Sequence, residues 1–191
     1  MGTGSKTVAL YSGAFDNAYM TSTAPATPTG HLWICGNSGG NPALYPIPIA
    51  GNVMTTGATT SATTVSGIET PCSPVTEFCA NNGSECTSTA GTDYVFVSPQ
   101  TEPPSSPVVG CTVNEGCVLT FTISGQTATL QGAGPFPGGA SGMIVDTQDT
   151  TTSGTLQLYF GNLTSTGTCT GSGGFGTGTG GCAIQASQTA P

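Results

Sequence analysis

The 191-residue chain has no arginine, one lysine (Lys6), one histidine (His31) and one tryptophan (Trp33). Each shortage closes off a class of function. Neutralising nucleic-acid phosphates or an anionic membrane surface takes Lys and Arg, and a formal net charge of -8, nine acids against Lys6, opposes both partners. A phosphate-cradling enzyme is disfavoured on the same ground. A base working near neutral pH could only be His31. No apolar run approaches the roughly 20 residues of a membrane-spanning helix. Charged residues make up only 5% of the chain, so the strong helix formers Glu, Lys and Arg are scarce and long helices are not expected.

What is present favours strands. Thr, Val, Tyr and Phe suit a pleated, half-buried surface, and abundant Gly and Pro punctuate it. Hydrophobic residues at 36% can supply a core. The composition reads as one all-β domain over residues 1–191, with solubility left to hydroxyls, amides and a few carboxylates.

Eight cysteines, an even number, sit mainly in Gly-, Ser- and Thr-rich segments without CxxC pairing. That pattern favours disulfides over zinc and places the chain outside the cell or at its surface. The N-terminus lacks the apolar core of a secretory signal, so the expectation is a processed chain or a piece of a longer product. Spacing pairs Cys111 with Cys117 across TVNEG, Cys79 with Cys86 across ANNGSE, and Cys169 with Cys182 across a Gly-rich loop; elimination leaves Cys35 with Cys72.

Three apolar runs form a set: HLWIC at 31–35, DYVFVS at 93–98 and LQLYFG at 156–161. Aligned on Trp33, Val95 and Tyr159 they are 62 and 64 residues apart, a period once loops vary. Each precedes a second strand, in ALYPIPI at 43–49, CVLTFTI at 117–123 and CAIQAS at 182–187. Inner strands are expected in FDNAYMTS at 15–22, CSPVTEF at 72–78 and ASGMIVD at 140–146. Outer strands are expected in GNVMTTG at 51–57 and TATLQGAG at 127–134, with none in the third unit. KTVALYSG at 6–13 has the pattern of TATLQGAG and reads as the last strand of a preceding or partner blade. The units are then 14–57, 72–134 and 140–191.

Repeated antiparallel four-stranded units are the pattern of β-propeller blades. In GHLWICGNSGG, in CSPVTEF followed by DYVFVS, in GGASGMIVD and in the terminal GGCAIQASQ, the chain resembles the C-terminal portion of secreted bacterial β-propeller-like proteins of uncharacterised function. The resemblance covers most of the chain and brings no catalytic residues with it. About three blades make an incomplete ring, so either further blades exist or two copies assemble, each N-terminal strand completing the other's last blade. The alternative architecture is a β-sandwich with long loops.

Little chemistry stands out. Ser38 in GNSGG lies near His31 in sequence, but the segment departs from GxSxG and no helix follows. Glu69, Glu77, Glu85 and Asp93 have no glycosidase spacing, and Asp146 with Asp149 could at most help bind calcium in a loop. No cofactor is expected, since a quinone would lack a basic clamp. Asn82 and Asn162 open N-glycosylation patterns. The segments at 55–67 and 98–107 read as extended surface loops. Trp33, Asn37 and Tyr45 are the candidate ligand-binding residues, for a neutral glycan stacked on aromatic rings; the competing reading packs Trp33, Tyr94, Phe96, Tyr159 and Phe160 between blades. The leading expectation is a non-enzymatic interaction or structural module with a protein or neutral-glycan partner. A glycan-active protein and a quinone- or metal-dependent oxidoreductase fragment are the alternatives.

Overall fold

The computed structural model describes residues 9–22, 28–51, 53–55, 62–81, 84–87, 90–146, 155–163, 174–175 and 182–189. Asn82, Asp149, Cys169 and residues 56–61 of the Thr-rich tract at 55–67 lie outside them. The described residues form three antiparallel sheets in sequence order, none of them closed into a barrel.

Sheet 1 contains β1 (Ala14–Phe15), β2 (Thr29–Ser38), β3 (Asn41–Ala50), β4 (Val53–Met54) and β5 (Thr63–Thr64). One helical turn, α1 (Asn17–Met20), follows β1. The expected inner strand over 15–22 is thereby corrected: Asp16 caps a helical turn after two strand residues, its side chain accepting from Tyr19 N at 3.0 Å. An Asp followed by Asn is a helix-start signal that strand periodicity alone overlooks.

The β2–β3 hairpin closes on Gly39 and Gly40, both at positive φ (64° and 102°). Such a two-residue turn needs left-handed backbone and so selects glycine. Pro42, Pro46 and Pro48 all lie in β3, although a proline cannot donate to a ladder. Their even register turns the missing N–H away from β2, toward the side where Pro42 O and Pro48 O accept from Val65 N and Thr55 N. Beside these prolines the outer strand is split, β5 pairing at Ala43 and Leu44 and β4 at Ile49 and Ala50.

Sheet 2 is a meander of β6 (Thr76–Ala80), β7 (Thr92–Val97), β8 (Cys117–Ser124) and β9 (Thr127–Pro135). Gln131 is the extra residue of a bulge opposite Thr120 and Phe121. Sheet 3 has the order β10 (Ile144–Asp146), β11 (Thr155–Gly161), β13 (Ala183–Thr189), β12 (Gly174–Phe175). The third unit therefore does have a fourth strand. It comes from the loop joining β11 to β13, where a glycine-rich composition hides so short a pairing.

The sheets stack through two cores, with sheet 2 in the middle. Val95, Val97, Leu119, Phe121 and Ile123 face sheet 1 and meet Trp33, Cys35 and Leu44. Tyr94, Phe96 and Val118 face sheet 3 and meet Leu158, Phe160 and Met143. Burial on both faces explains why DYVFVS and CVLTFTI read as nearly continuous apolar runs. The faces also correct the sequence alignment: Trp33 points from sheet 1 toward sheet 2, whereas Val95 points back toward sheet 1. A one-residue slip exchanges faces, so the middle unit aligns through Tyr94 or Phe96 instead.

Disulfides join Cys79 to Cys86 and Cys111 to Cys117, as the spacings predict, and Cys35 to Cys72, the pair left by elimination. Cys182 is also disulfide-bonded; Cys169, its expected partner, is outside the described residues. Cys35–Cys72 ties β2 to the short bridge leading into β6 and so staples sheet 1 to sheet 2. The loop at 98–107 is not simply a surface loop. Glu102 in it is fully buried and its Oε2 accepts from Val108 N at 3.0 Å. Where this loop hands over to β8, a Cβ on Gly116 would lie 2.1 Å from Gly139 N, so only glycine lets the two backbones meet.

Candidate functional site

The three residues expected to bind a ligand lie inside the protein. Trp33, Tyr45 and Asn37 are 0%, 1% and 7% exposed. Trp33 belongs to the core between sheets 1 and 2, and Tyr45 packs with Ile34, Ala43 and Ile47 on the opposite face of sheet 1. Asn37 shapes the hairpin, its Oδ1 accepting from Gly40 N at 2.9 Å while its carbonyl accepts from Tyr45 Oη at 2.6 Å. Rings enclosed in this way offer no face to a sugar. Tyr94, Phe96 and Phe160 are buried as well, but Tyr159 is 36% exposed, paired with exposed Ile144 on the face of sheet 3 turned away from sheet 2.

Polar chemistry gathers elsewhere, where α1 meets the edge of sheet 2. Asp16, almost fully buried, accepts from His31 N at 2.9 Å and places Oδ2 2.7 Å from His31 Nδ1. Asp93 Oδ2 accepts from Asn17 N at 2.8 Å, and Asn17 Nδ2 donates to Thr87 O at 2.8 Å. The Glu77 and Asp93 carboxyls, on neighbouring strands of the same face, hydrogen-bond to each other. Such a bond needs a proton between them. Burial, then the bond to Asp93 and the nearby charges of Asp93 and Asp16, push Glu77 up to about 9. Burial also raises Asp93, opposed by the bonds from Glu77 and Asn17. Glu77 therefore holds the proton at neutral pH and donates to Asp93.

His31 and Asp93 stand at matching places of the runs HLWIC and DYVFVS, two residues before Trp33 and Val95. The fold brings both into one polar cluster, with Asp16 bonded to His31 and the neighbouring Asn17 N–H donating to Asp93. The signal available in the sequence was the Asp16–Asn17 cap; the partner on β7 could be found only with the register known.

Beside this cluster opens a cleft of about 490 Å³, lined by Asp16, Asn17, Asp93, Thr122, Ser124 and Thr129 among others. Gly91 on its rim lies so close to Cys79–Cys86 that a Cβ would be 2.7 Å from either sulfur. That disulfide thus shapes the rim. Carboxylates, hydroxyls and backbone amides can bind hydroxyl-bearing or amine-bearing groups, and none of the described residues lining the cleft is basic.

No protein-family model, curated protein or solved structure matches this chain.

Asp16 orients His31 as an acid would orient a catalytic base, yet among the described residues no Ser, Thr or Cys side chain hydrogen-bonds to the imidazole. Ser38 stands seven residues away along continuous β2, about 23 Å from His31, so the two do not share a site. No group of three or more His, Cys, Asp or Glu side chains among the described residues is arranged to hold a metal ion.

The pair of carboxyls sets a pH response. Glu77 starts from an ordinary value of 4.5 in the unfolded chain and titrates at about 9 when folded. Its contribution is complete below 4.5 and is lost as pH rises through 9, because the unfolded chain then releases a proton that the folded chain keeps. Burial raises Glu102 in the same sense. Thermal unfolding followed by circular dichroism should give a higher midpoint at pH 5 than at pH 8. Glu77→Gln, which keeps a donor toward Asp93, should raise stability at pH 8 by about 1–2 kcal/mol after allowance for solvent screening of a half-buried group. An unchanged pH slope in that variant would remove Glu77 as the cause.

Proposed function

We propose that the chain is a non-catalytic, disulfide-stabilised interaction module of an extracellular or cell-surface protein, its three sheets being consecutive propeller-like blades. The observation that carries this reading is the stacking: sequential antiparallel sheets pack face to face through two apolar cores, and the chain's rare reactive group, His31, is tied into the contact between the first two. Disulfides that tie sheet to sheet and close loops fit an oxidising surrounding. A blade stack is a rigid platform on which loops and clefts meet partners.

The cleft favours a second, more specific reading, a neutral glycan partner. Its hydroxyls and carboxylates suit polyhydroxylated ligands, and the site differs from the Trp33 face expected from sequence. The experiment is a glycan array and calorimetric titration with the wild type and Ser124→Trp, which obstructs the cleft from its exposed edge. Binding lost in the variant supports a glycan role there, and silence across the array opposes it. Turnover of ester, glycoside or quinone-dye substrates by the wild type, abolished in His31→Gln, would overturn the non-catalytic reading.

A further inference from the structure

The three disulfides with both partners described differ in what surrounds them. Cys35 and Cys72 are buried in the core between sheets 1 and 2, as is Cys117, and Cys111 packs against that core. Cys79 and Cys86 are both partly exposed and belong to neither of the cores that join the sheets. Thiol–disulfide exchange requires a thiolate to reach a sulfur, so access places Cys79–Cys86 first in the order of reduction.

The same bond holds one wall of the cleft beside the polar cluster. Thr87, Ala90 and Gly91 form that wall. Gly91, at a φ of 112°, brings its backbone against both sulfurs. Thr87 N donates to Ala90 O at 3.0 Å, and Asn17 Nδ2 clamps Thr87 O from α1 at 2.8 Å. Ser84, Glu85, Thr87, Ala90 and Gly91 are all exposed, so freeing this rim gives up no apolar contact of either core. Without the disulfide, the wall would depend on the bond from Asn17 and the short Thr87–Ala90 pairing, both open to competition from water.

We propose that Cys79–Cys86 is a redox latch on the cleft: an external dithiol opens it and releases the wall of Thr87, Ala90 and Gly91 while the three sheets stay stacked. Its regulatory meaning rests on the cleft being the binding site proposed above. In the exchange, a thiolate of the dithiol attacks one sulfur and its second thiol resolves the mixed disulfide; two electrons and two protons pass to Cys79 and Cys86, and the dithiol becomes a disulfide. The full chain is treated with dithiothreitol and blocked at intervals with iodoacetamide. Peptide mass mapping should find Cys79 and Cys86 alkylated at least about tenfold faster than Cys35, Cys72, Cys111 and Cys117. At that stage amide hydrogen exchange should quicken at Thr87 and Ala90 but stay slow at Val95 and Leu119, with an unchanged far-ultraviolet circular dichroism spectrum. Asn17→Ala, which removes the clamp, should speed alkylation of Cys79 and Cys86 alone. Cys79→Ser/Cys86→Ser should show the quickened exchange without any reductant. Earlier alkylation of Cys35 or Cys111, or lost protection at Val95 and Leu119 as Cys79–Cys86 opens, overturns the latch. A glycan-array signal equal for the wild type and Cys79→Ser/Cys86→Ser overturns control of the cleft and leaves the glycan reading standing. A silent array removes the glycan reading, and alkylation and exchange still decide the latch.

Discussion

Trp33→Ala should lower the unfolding free energy by about 3–5 kcal/mol, the range for deleting a large aromatic from a packed core. Trp33 is fully enclosed with Cys35, Leu44, Val75 and Val95, at the seam where sheet 1 meets sheet 2. The neighbours cannot close the void by a simple shift, because Cys35 is tethered to Cys72 and Leu44 and Val95 are themselves fully buried in the same core. Trp33→Phe should cost less than about 1.5 kcal/mol. It retains most of the volume and removes Nε1, a buried donor without a partner among the described residues. Urea unfolding monitored by circular dichroism measures both variants without relying on tryptophan fluorescence. If Trp33→Ala unfolded like the wild type and lost only ligand binding, Trp33 would be a contact residue after all.

The second large effect is expected from Cys35→Ala/Cys72→Ala, at about 3–4 kcal/mol on the chain-entropy account of a 37-residue separation. Cys79–Cys86 and Cys111–Cys117 close loops of separation 7 and 6 and should each contribute less, about 2–3 kcal/mol. The order of the three is the sharper forecast. It can be read from thermal midpoints of the three double-alanine variants at one pH. A larger loss from Cys111→Ala/Cys117→Ala would show that the anchoring of the loop holding buried Glu102 outweighs the tie between sheets.

Long strands were legible in the sequence and short ones were not. β2, β3, β7 and β8 carry dense apolar residues because side chains on both faces of their sheets are buried, whereas in β11 Leu158 and Phe160 are buried toward sheet 2 and Tyr159 between them is exposed. β5 and β12 are Thr-Thr and Gly-Phe, two-residue pairings in segments whose composition has no period to read. Disulfide spacing was readable because loop closure is local, as at Cys111 and Cys117. The facing of Val95 was misread because apolar residues on both sides of a strand erase the alternation that would fix it. The polar cluster escaped for another reason: Asp16, His31, Glu77 and Asp93 come from four elements, and only their burial together makes a shared proton worthwhile.

The prolines of β3 have one more consequence. Exposed sheet edges invite pairing between molecules, and lysines commonly repel it, but this chain has only Lys6. Proline does the same task without charge: between the pairings of β5 and β4, the side of β3 turned away from β2 presents Pro46, which has no N–H to offer. Sheet 1 thus resists fibrillar stacking even near the isoelectric point of about 4.1, where electrostatic repulsion between molecules vanishes.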